Sequence, residues 1–182
     1  MSEVGTSLHL WRAPAADVRG FVSALGVACR IVASNSHWTC VVPFDREDEP
    51  KLLSAWTGRA IYWSYSEDYG LGLDFYESGR FVAQASFIWG TALTGEPPGG
   101  NFPAELRRKL FGDEALPESG AAELERVLAD LEAGLISGSV VRDRVAHIFE
   151  LAAVEWLSPE LCLQMGLEDA RQEYPDAEDI GM

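Results

Sequence analysis

Lysine is almost absent from this chain: Lys51 and Lys109 stand against twelve Arg among 182 residues. Histidine and cysteine are scarce as well, with three of each. No apolar run approaches the roughly 20 residues needed to span a bilayer. The start, MSEVGTSLHLW, has neither the basic region nor the apolar segment of a signal peptide. Each scarcity narrows the reading. Three cysteines without paired spacings make no disulfide framework and fit a reducing cytosol, so a cytoplasmic protein is expected. Cys29 and Cys40 read as small buried hydrophobes on neighbouring strands. His9 and His147 have no Cys or His at ligand spacing. His37 and Cys40 lie three apart on a strand, where side chains point to opposite faces, so no zinc or other metal site is expected. Gly70-x-Gly72 and Gly99-Gly100 lack the strand–loop–helix setting of a phosphate loop. No serine sits in a G-x-S-x-G elbow and no cysteine in a reactive motif, so neither a catalytic residue nor a cofactor is assigned.

The charge is −15, and it is unevenly placed. Residues 1–91 carry ten acidic and seven basic side chains, a net of −3. Residues 92–182 carry nineteen and seven, a net of −12. Direct nucleic-acid binding is disfavoured, because phosphate backbones need clustered Lys and Arg. The one basic cluster, Arg107-Arg108-Lys109, reads as a solvated helix face near a C-terminus. An anionic membrane surface is disfavoured for the same reason, and a basic protein partner is favoured.

An apolar content of 47% suits a globular chain. The pattern predicts strand (6–12), helix (14–25), a hairpin (28–43) around Ser34-Asn35-Ser36, a short helix (50–56) and a three-strand meander (60–89). The segment TALTGEPPGGN (91–101) is a loop. Beyond it the pattern is helical: 102–111 behind Pro103, a helix capped by Ser119 with Leu124, Val127, Leu128, Leu131 and Leu135 on one face, and a helix from Ser139 through Val141, Val145, Ile148, Phe149, Ala152 and Trp156. A last short helix starts at Ser158-Pro159-Glu160. The expected class is therefore α+β: a mainly antiparallel sheet of about six strands with two helices on one face, followed by a helical C-terminal half. The expected units are a sheet subdomain (1–91), a Pro/Gly loop (92–101), a helical subdomain packed on the same domain (102–167) and an acidic tail (168–182) whose end is expected to be mobile.

The meander is rich enough to read in register. In Glu77-Ser78-Gly79, a three-residue turn with Gly79 left-handed sets Phe75 opposite Phe81, Leu73 opposite Ala83 and Leu71 opposite Ala85. One face becomes apolar: Leu71, Leu73, Phe75, Phe81, Ala83, Ala85 and Phe87. A two-residue turn at Ser78-Gly79 would mix the faces. Across the first turn Tyr65 meets Leu71, Trp63 meets Leu73 and Ile61 meets Phe75. Tyr62, Ser64 and Asp74 then look outward.

Glu67, Asp68, Asp74 and Glu77 read first as ordinary solvated turn acids. Tyr62, Tyr69 and Tyr76, placed outward or at a turn beside Asp68 and Asp74, form a candidate partner-binding patch, since Tyr is enriched in interface hot spots. The candidate set is Tyr62, Glu67, Asp68, Tyr69, Asp74 and Tyr76. The Arg bias, with frequent Ala and Gly, points to GC-rich coding and a bacterium. The expectation is a non-enzymatic acidic binding protein of the bacterial cytoplasm, most concretely an immunity-type or inhibitor protein neutralising a basic toxin or effector. The alternatives are a small enzyme using Glu67, Asp68 and Asp74, and a structural or regulatory subunit.

Overall fold

Eight strands form one sheet in the order β7-β6-β5-β4-β1-β3-β2-β8, and every neighbouring pair is antiparallel. The structure is a computed structural model that describes residues 5–90, 97–103, 118–151 and 158–181. Its elements are β1 (Gly5–Trp11), α1 (Ala15–Leu25), β2 (Cys29–Ser34), β3 (Trp38–Pro43), α2 (Glu49–Ala55), β4 (Arg59–Ser66), β5 (Gly70–Glu77), β6 (Arg80–Ile88), β7 (Gly99–Asn101), α3 (Glu118–Glu132), α4 (Gly138–Phe149), α5 (Pro159–Gln164), α6 (Leu167–Glu173) and β8 (Glu178–Ile180). The class is α+β with an antiparallel sheet, as the alternation of the N-terminal half implies. The strand count is eight rather than six. The two extra strands are three-residue edges, GGN and EDI, which carry no apolar alternation and so no sequence signal.

Helices cover both faces of the sheet, not one. On one face, Val18 and Val22 of α1 and Leu52 and Leu53 of α2 pack with Leu8, Leu10, Ile31 and Val41. On the other, Leu124, Val127 and Leu131 of α3 and Val141, Val145 and Phe149 of α4 pack with Trp63, Tyr65, Leu73, Phe75 and Phe87. Further along that second face Cys162 of α5 meets Val32, Cys40 and Val42. Strands β1 and β3 are therefore buried on both sides, β1 with the polar Thr6, Ser7 and His9 enclosed among its apolar residues.

Local signals place most ends. Gly26 takes a left-handed conformation (φ 65°) and its N–H closes α1 on Ser23 and Val22 carbonyls. Ser158 caps α5 by accepting from the Leu161 N–H at 3.0 Å. Ser137, not Ser139, is the residue ahead of α4. Leu135 lies past the end of α3, beside left-handed Gly134, and is exposed. The β2–β3 turn closes the far end of α4: the Trp38 indole N–H donates to the Phe149 carbonyl (2.7 Å) and the Asn35 amide to the Glu150 carbonyl (2.9 Å), satisfying two helix-end acceptors.

The acidic tail is not a loose end. Cys29, Arg30 and Ile31 of β2 pair with Ile180, Asp179 and Glu178 of β8. The Arg30 guanidinium, 3% exposed, lies 2.6 Å from Asp179 and also donates to the Met165 carbonyl. The expected 92–101 loop likewise ends in strand β7, and Phe102 is buried in the core under α3 and α4. The helix expected over 102–111, from residue 104 on, and its cluster Arg107-Arg108-Lys109 lie outside the described residues, as do Ala152 and Trp156.

Candidate functional site

The β5–β6 connection decides which side chains reach the surface. Ser78 (φ 51°) and Gly79 (φ 74°) are both left-handed, so the turn is the two-residue kind. Glu77 pairs with Arg80 and Tyr76 with Phe81, and then the register slips, with Phe75 opposite Ala83. Val82 is the extra residue of a β-bulge. The pairing of Phe75 with Phe81 is thus corrected, as are Leu73 with Ala83 and Leu71 with Ala85: the partners are Ala85 and Phe87. The bulge does what the three-residue turn was expected to do. It returns Ala83, Ala85 and Phe87 to the buried face and leaves Phe81 on the other, 58% exposed. The β4–β5 pairing is as the sequence implied, with Ile61, Trp63 and Tyr65 opposite Phe75, Leu73 and Leu71.

On the α1–α2 side, side chains line up across the sheet in rows. One row is Thr6, Ser64, Gly72, Ser86 and Asn101, all small or polar over five strands. The next is Leu8, Tyr62, Asp74 and Gln84. Beyond it come Leu10, Ala60, Tyr76 and Phe81, and on the other flank Ser66, Gly70, Ile88 and Gly99. The Thr6–Asn101 row and the Ser66–Gly99 row beside it are both mostly small, and together they form a shallow hollow of about 360 Å³, lined by Ser64, Ser66, Tyr69, Gly70, Gly72 and Ser86 among others. Gly70 and Gly72 keep its floor low. A Cβ on Gly72 would come within 2.6 Å of Ser64 Oγ, and one on Gly70 would run into the Phe87 carbonyl.

The six expected residues fall into two groups. Tyr62, Asp74 and Tyr76 share this face, while Glu67, Asp68 and Tyr69 belong to the β4–β5 turn at its far end. Glu67 and Asp68 are exposed; Tyr69 is half-buried and borders the hollow. Tyr62 does not look out freely. Its hydroxyl donates to Glu49 Oε2 (2.8 Å), and Thr6 Oγ1 donates to Glu49 Oε1 (2.6 Å), so one buried carboxylate of α2 ties down β1 and β4. Burial, then the Glu49 charge, pushes the Tyr62 phenol well above its usual range. Tyr76 meets the Phe81 ring edge-on at 5.8 Å. Asp74 has one carboxylate oxygen, Oδ1, that is buried and without a partner among the described residues. Burial raises its pKa, a hydrogen bond from Gln84 opposes the rise, and no cation contributes.

Sequence reasoning missed Glu49, Phe81, Gln84 and the serines of the hollow. Three small residues, Ser64, Gly72 and Ser86, become informative only when the correct register sets them side by side. His9 and the cysteines are enclosed. His9 Nε2 lies 3.1 Å from Ser7 Oγ, yet both residues are buried, out of a substrate's reach. The three thiols are buried and held as neutral SH: burial pushes Cys29 up to about 12 and Cys162 to about 11. Among the described residues no group of three or more His, Cys, Asp or Glu could hold a metal ion, and no helix is long and apolar enough to cross a membrane. No protein-family model, curated protein or solved structure matches the chain.

Proposed function

We propose that this chain is a binding protein that does no chemistry itself and docks a basic protein partner on the open face of β4–β6. Its most concrete form is an immunity-type or inhibitor protein that covers the cationic site of a toxin or effector. One observation carries the reading: Phe81, a large apolar ring 58% exposed, is held on an ordered strand against Tyr76, beside a carboxylate with a bare oxygen. An aromatic anchor next to a desolvated charge is the arrangement of interface hot spots. The net charge of −15 supplies long-range attraction for a cationic partner. The subunit alternative has less support, because the apolar stripes of α3 and α4 are already buried against the sheet.

The test uses the full chain and a small basic protein encoded in a neighbouring gene. Association is expected to slow at least tenfold between 0.1 M and 1 M salt, as the Debye length falls from about 10 Å to about 3 Å. Phe81→Ser and the double reversal Glu67→Lys/Asp68→Lys are expected to weaken the complex while leaving the thermal midpoint nearly unchanged. Binding that ignores salt and all three substitutions would remove this face from consideration. A second reading draws on Asp74 alone: a half-buried carboxyl with a raised pKa is also what a general acid needs. Hydrolysis of a small substrate, abolished by Asp74→Asn, would move the protein to that class.

A further inference from the structure

In the four rows of side chains on the open face, Asp74 is the one charged member. It stands between Tyr62 of β4 and Gln84 of β6, with Tyr76 two positions along β5 and Phe81 opposite Tyr76. Its carboxylate is half-buried, and no cation among its surroundings offsets the burial that raises its pKa. The Arg59 guanidinium is turned to Glu77, at 3.3 Å, on the other face of the hairpin. Gln84 engages one carboxylate oxygen of Asp74, because the second, Oδ1, has no partner among the described residues. A carboxylate that gives up hydration without gaining a counter-charge is costly. The cost is recovered when a cation arrives with the partner.

The kind of cation follows from the surroundings. A guanidinium binds a carboxylate best through two parallel N–H···O bonds, one to each oxygen. Here Gln84 already holds one of them. An ammonium is a compact point charge and can serve a single oxygen. In lysine it is carried on a four-carbon stem, which lies along apolar surface while the head reaches a polar group. Phe81 offers that surface, being 58% exposed. Its place in the sheet is roughly 7 Å from Asp74 along the strands and about 4.8 Å across them, a span that a lysine stem can cover. Tyr76 holds the Phe81 ring edge-on at 5.8 Å, so the platform is fixed before anything binds. The two rings add attraction for a positive charge passing over them.

We propose that the open face of β4–β6 seats a single lysine side chain of the basic partner, its stem across the Phe81 ring and its ammonium on the Asp74 carboxylate. That the lysine belongs to a protein rests on the function proposed above; the preference for an ammonium rests on Asp74, Gln84 and Phe81 themselves. The probe is Nα-acetyl-lysine amide, titrated at constant ionic strength into the isotope-labelled full chain. The Asp74 carboxyl resonance and the backbone amides of Tyr76 and Gln84 report on it. All three are expected to move saturably, and the Asp74 carboxyl to titrate at lower pH when the probe is bound. Nα-acetyl-norleucine amide, which keeps the stem and lacks the charge, is expected to leave the carboxyl in place, and Nα-acetyl-arginine amide to bind more weakly than the lysine amide. Asp74→Asn is expected to lower the affinity at least tenfold, as loss of a charge-assisted hydrogen bond implies. Phe81→Ser is expected to lower it at least threefold while the spectrum stays dispersed.

An Asp74 carboxyl in the parent chain that ignores the lysine amide, or follows norleucine equally, would overturn the site without recourse to any variant. Arginine amide binding as tightly as lysine amide would overturn the ammonium assignment, and unchanged affinity in Phe81→Ser the path of the stem. Much tighter binding of cadaverine than of the lysine amide would make the ligand a free diamine and overturn its origin in a protein. The two proposals fail separately. A basic protein that binds with strong salt dependence while Asp74 stays silent to lysine overturns this inference alone. Saturable lysine binding at Asp74 in a chain that associates with no basic protein overturns the proposed function alone.

Discussion

His9 has no access to water in the folded chain, and burial lowers its pKa from 6.5 to about 3. Its Nδ1 has no partner among the described residues, and neither has the indole nitrogen of Trp63, whose ring lies 6.2 Å away. In the unfolded chain His9 takes up a proton near pH 6.5; in the folded chain it does so only near pH 3. Between those values the unfolded state binds more protons, so stability falls as the pH drops, by roughly 1.4 kcal/mol per pH unit from this group. Above pH 6.5 it contributes no pH dependence. Denaturant unfolding from pH 7 to pH 4 is expected to show that slope in the parent and a flatter profile in His9→Leu. Parallel profiles would contradict it. Asp74 behaves in the opposite sense. Its raised pKa means that its charge is tolerated poorly, so stability is lost as the pH rises through the folded value. Asp74→Asn is expected to raise the thermal midpoint at pH 7, with the gain fading at acid pH where the parent carboxyl is already neutral. A gain in stability accompanied by loss of binding is what a residue kept for recognition gives.

At the level of elements, the β5–β6 hairpin shows what a sequence reveals and what it conceals. The apolar set Leu71, Leu73, Phe75, Ala83, Ala85 and Phe87 was legible from alternation and shares the core-facing side, with Ala83 half-buried at its margin. The pairing was not, because one bulged residue lets a two-residue turn give the same separation of faces as a three-residue turn. Phe81 lies between turn and bulge, where alternation holds only with respect to Tyr76, and so it was assigned to the wrong face. Two consequences are measurable. Phe75→Ala is expected to cost about 3–5 kcal/mol, as a buried aromatic truncation does, whereas Phe81→Ala is expected to stay within about 1 kcal/mol because the ring already meets solvent. Similar losses at both positions would contradict the bulge. Gly79→Ala is expected to cost about 1–3 kcal/mol by unfolding titration, since Gly79 is left-handed and a Cβ there would meet the Ser54 carbonyl. The strands β7 and β8 were illegible for a different reason: three residues of backbone pairing leave no period to read. That Tyr62, Asp74 and Tyr76 share a face was visible in the alternation. The hollow beside them was not, because its defining property is the smallness of residues that meet only through register.

For the molecule as a whole, the acidic C-terminal residues are partly structural. Glu178 pairs with Arg19, and Asp179 with the buried Arg30. Asp179→Ala is expected to destabilise the chain by about 3–5 kcal/mol, because it strands a guanidinium in the interior; Glu178→Ala, at the surface, is expected to cost under about 1 kcal/mol. Equal effects by denaturant unfolding would show that the Arg30 pair is not buried in solution. The charge of −15 therefore does two jobs: part of it fastens the C-terminal strand, and part lies on the surface where, under the proposed function, it attracts a partner.

The pairing of β2 with β8 also sets a timetable for synthesis. Arg30 and Asp179 are 149 positions apart, so on a ribosome adding 5–20 residues per second β2 waits roughly 7–30 seconds for its outer neighbour. Throughout that interval its backbone is a bare edge on which another nascent chain could template. Until Asp179 arrives, Arg30 is an unneutralised charge at the middle of that edge, and a charge so placed discourages intruding strands. The residue that fastens the finished sheet thus guards the unfinished one.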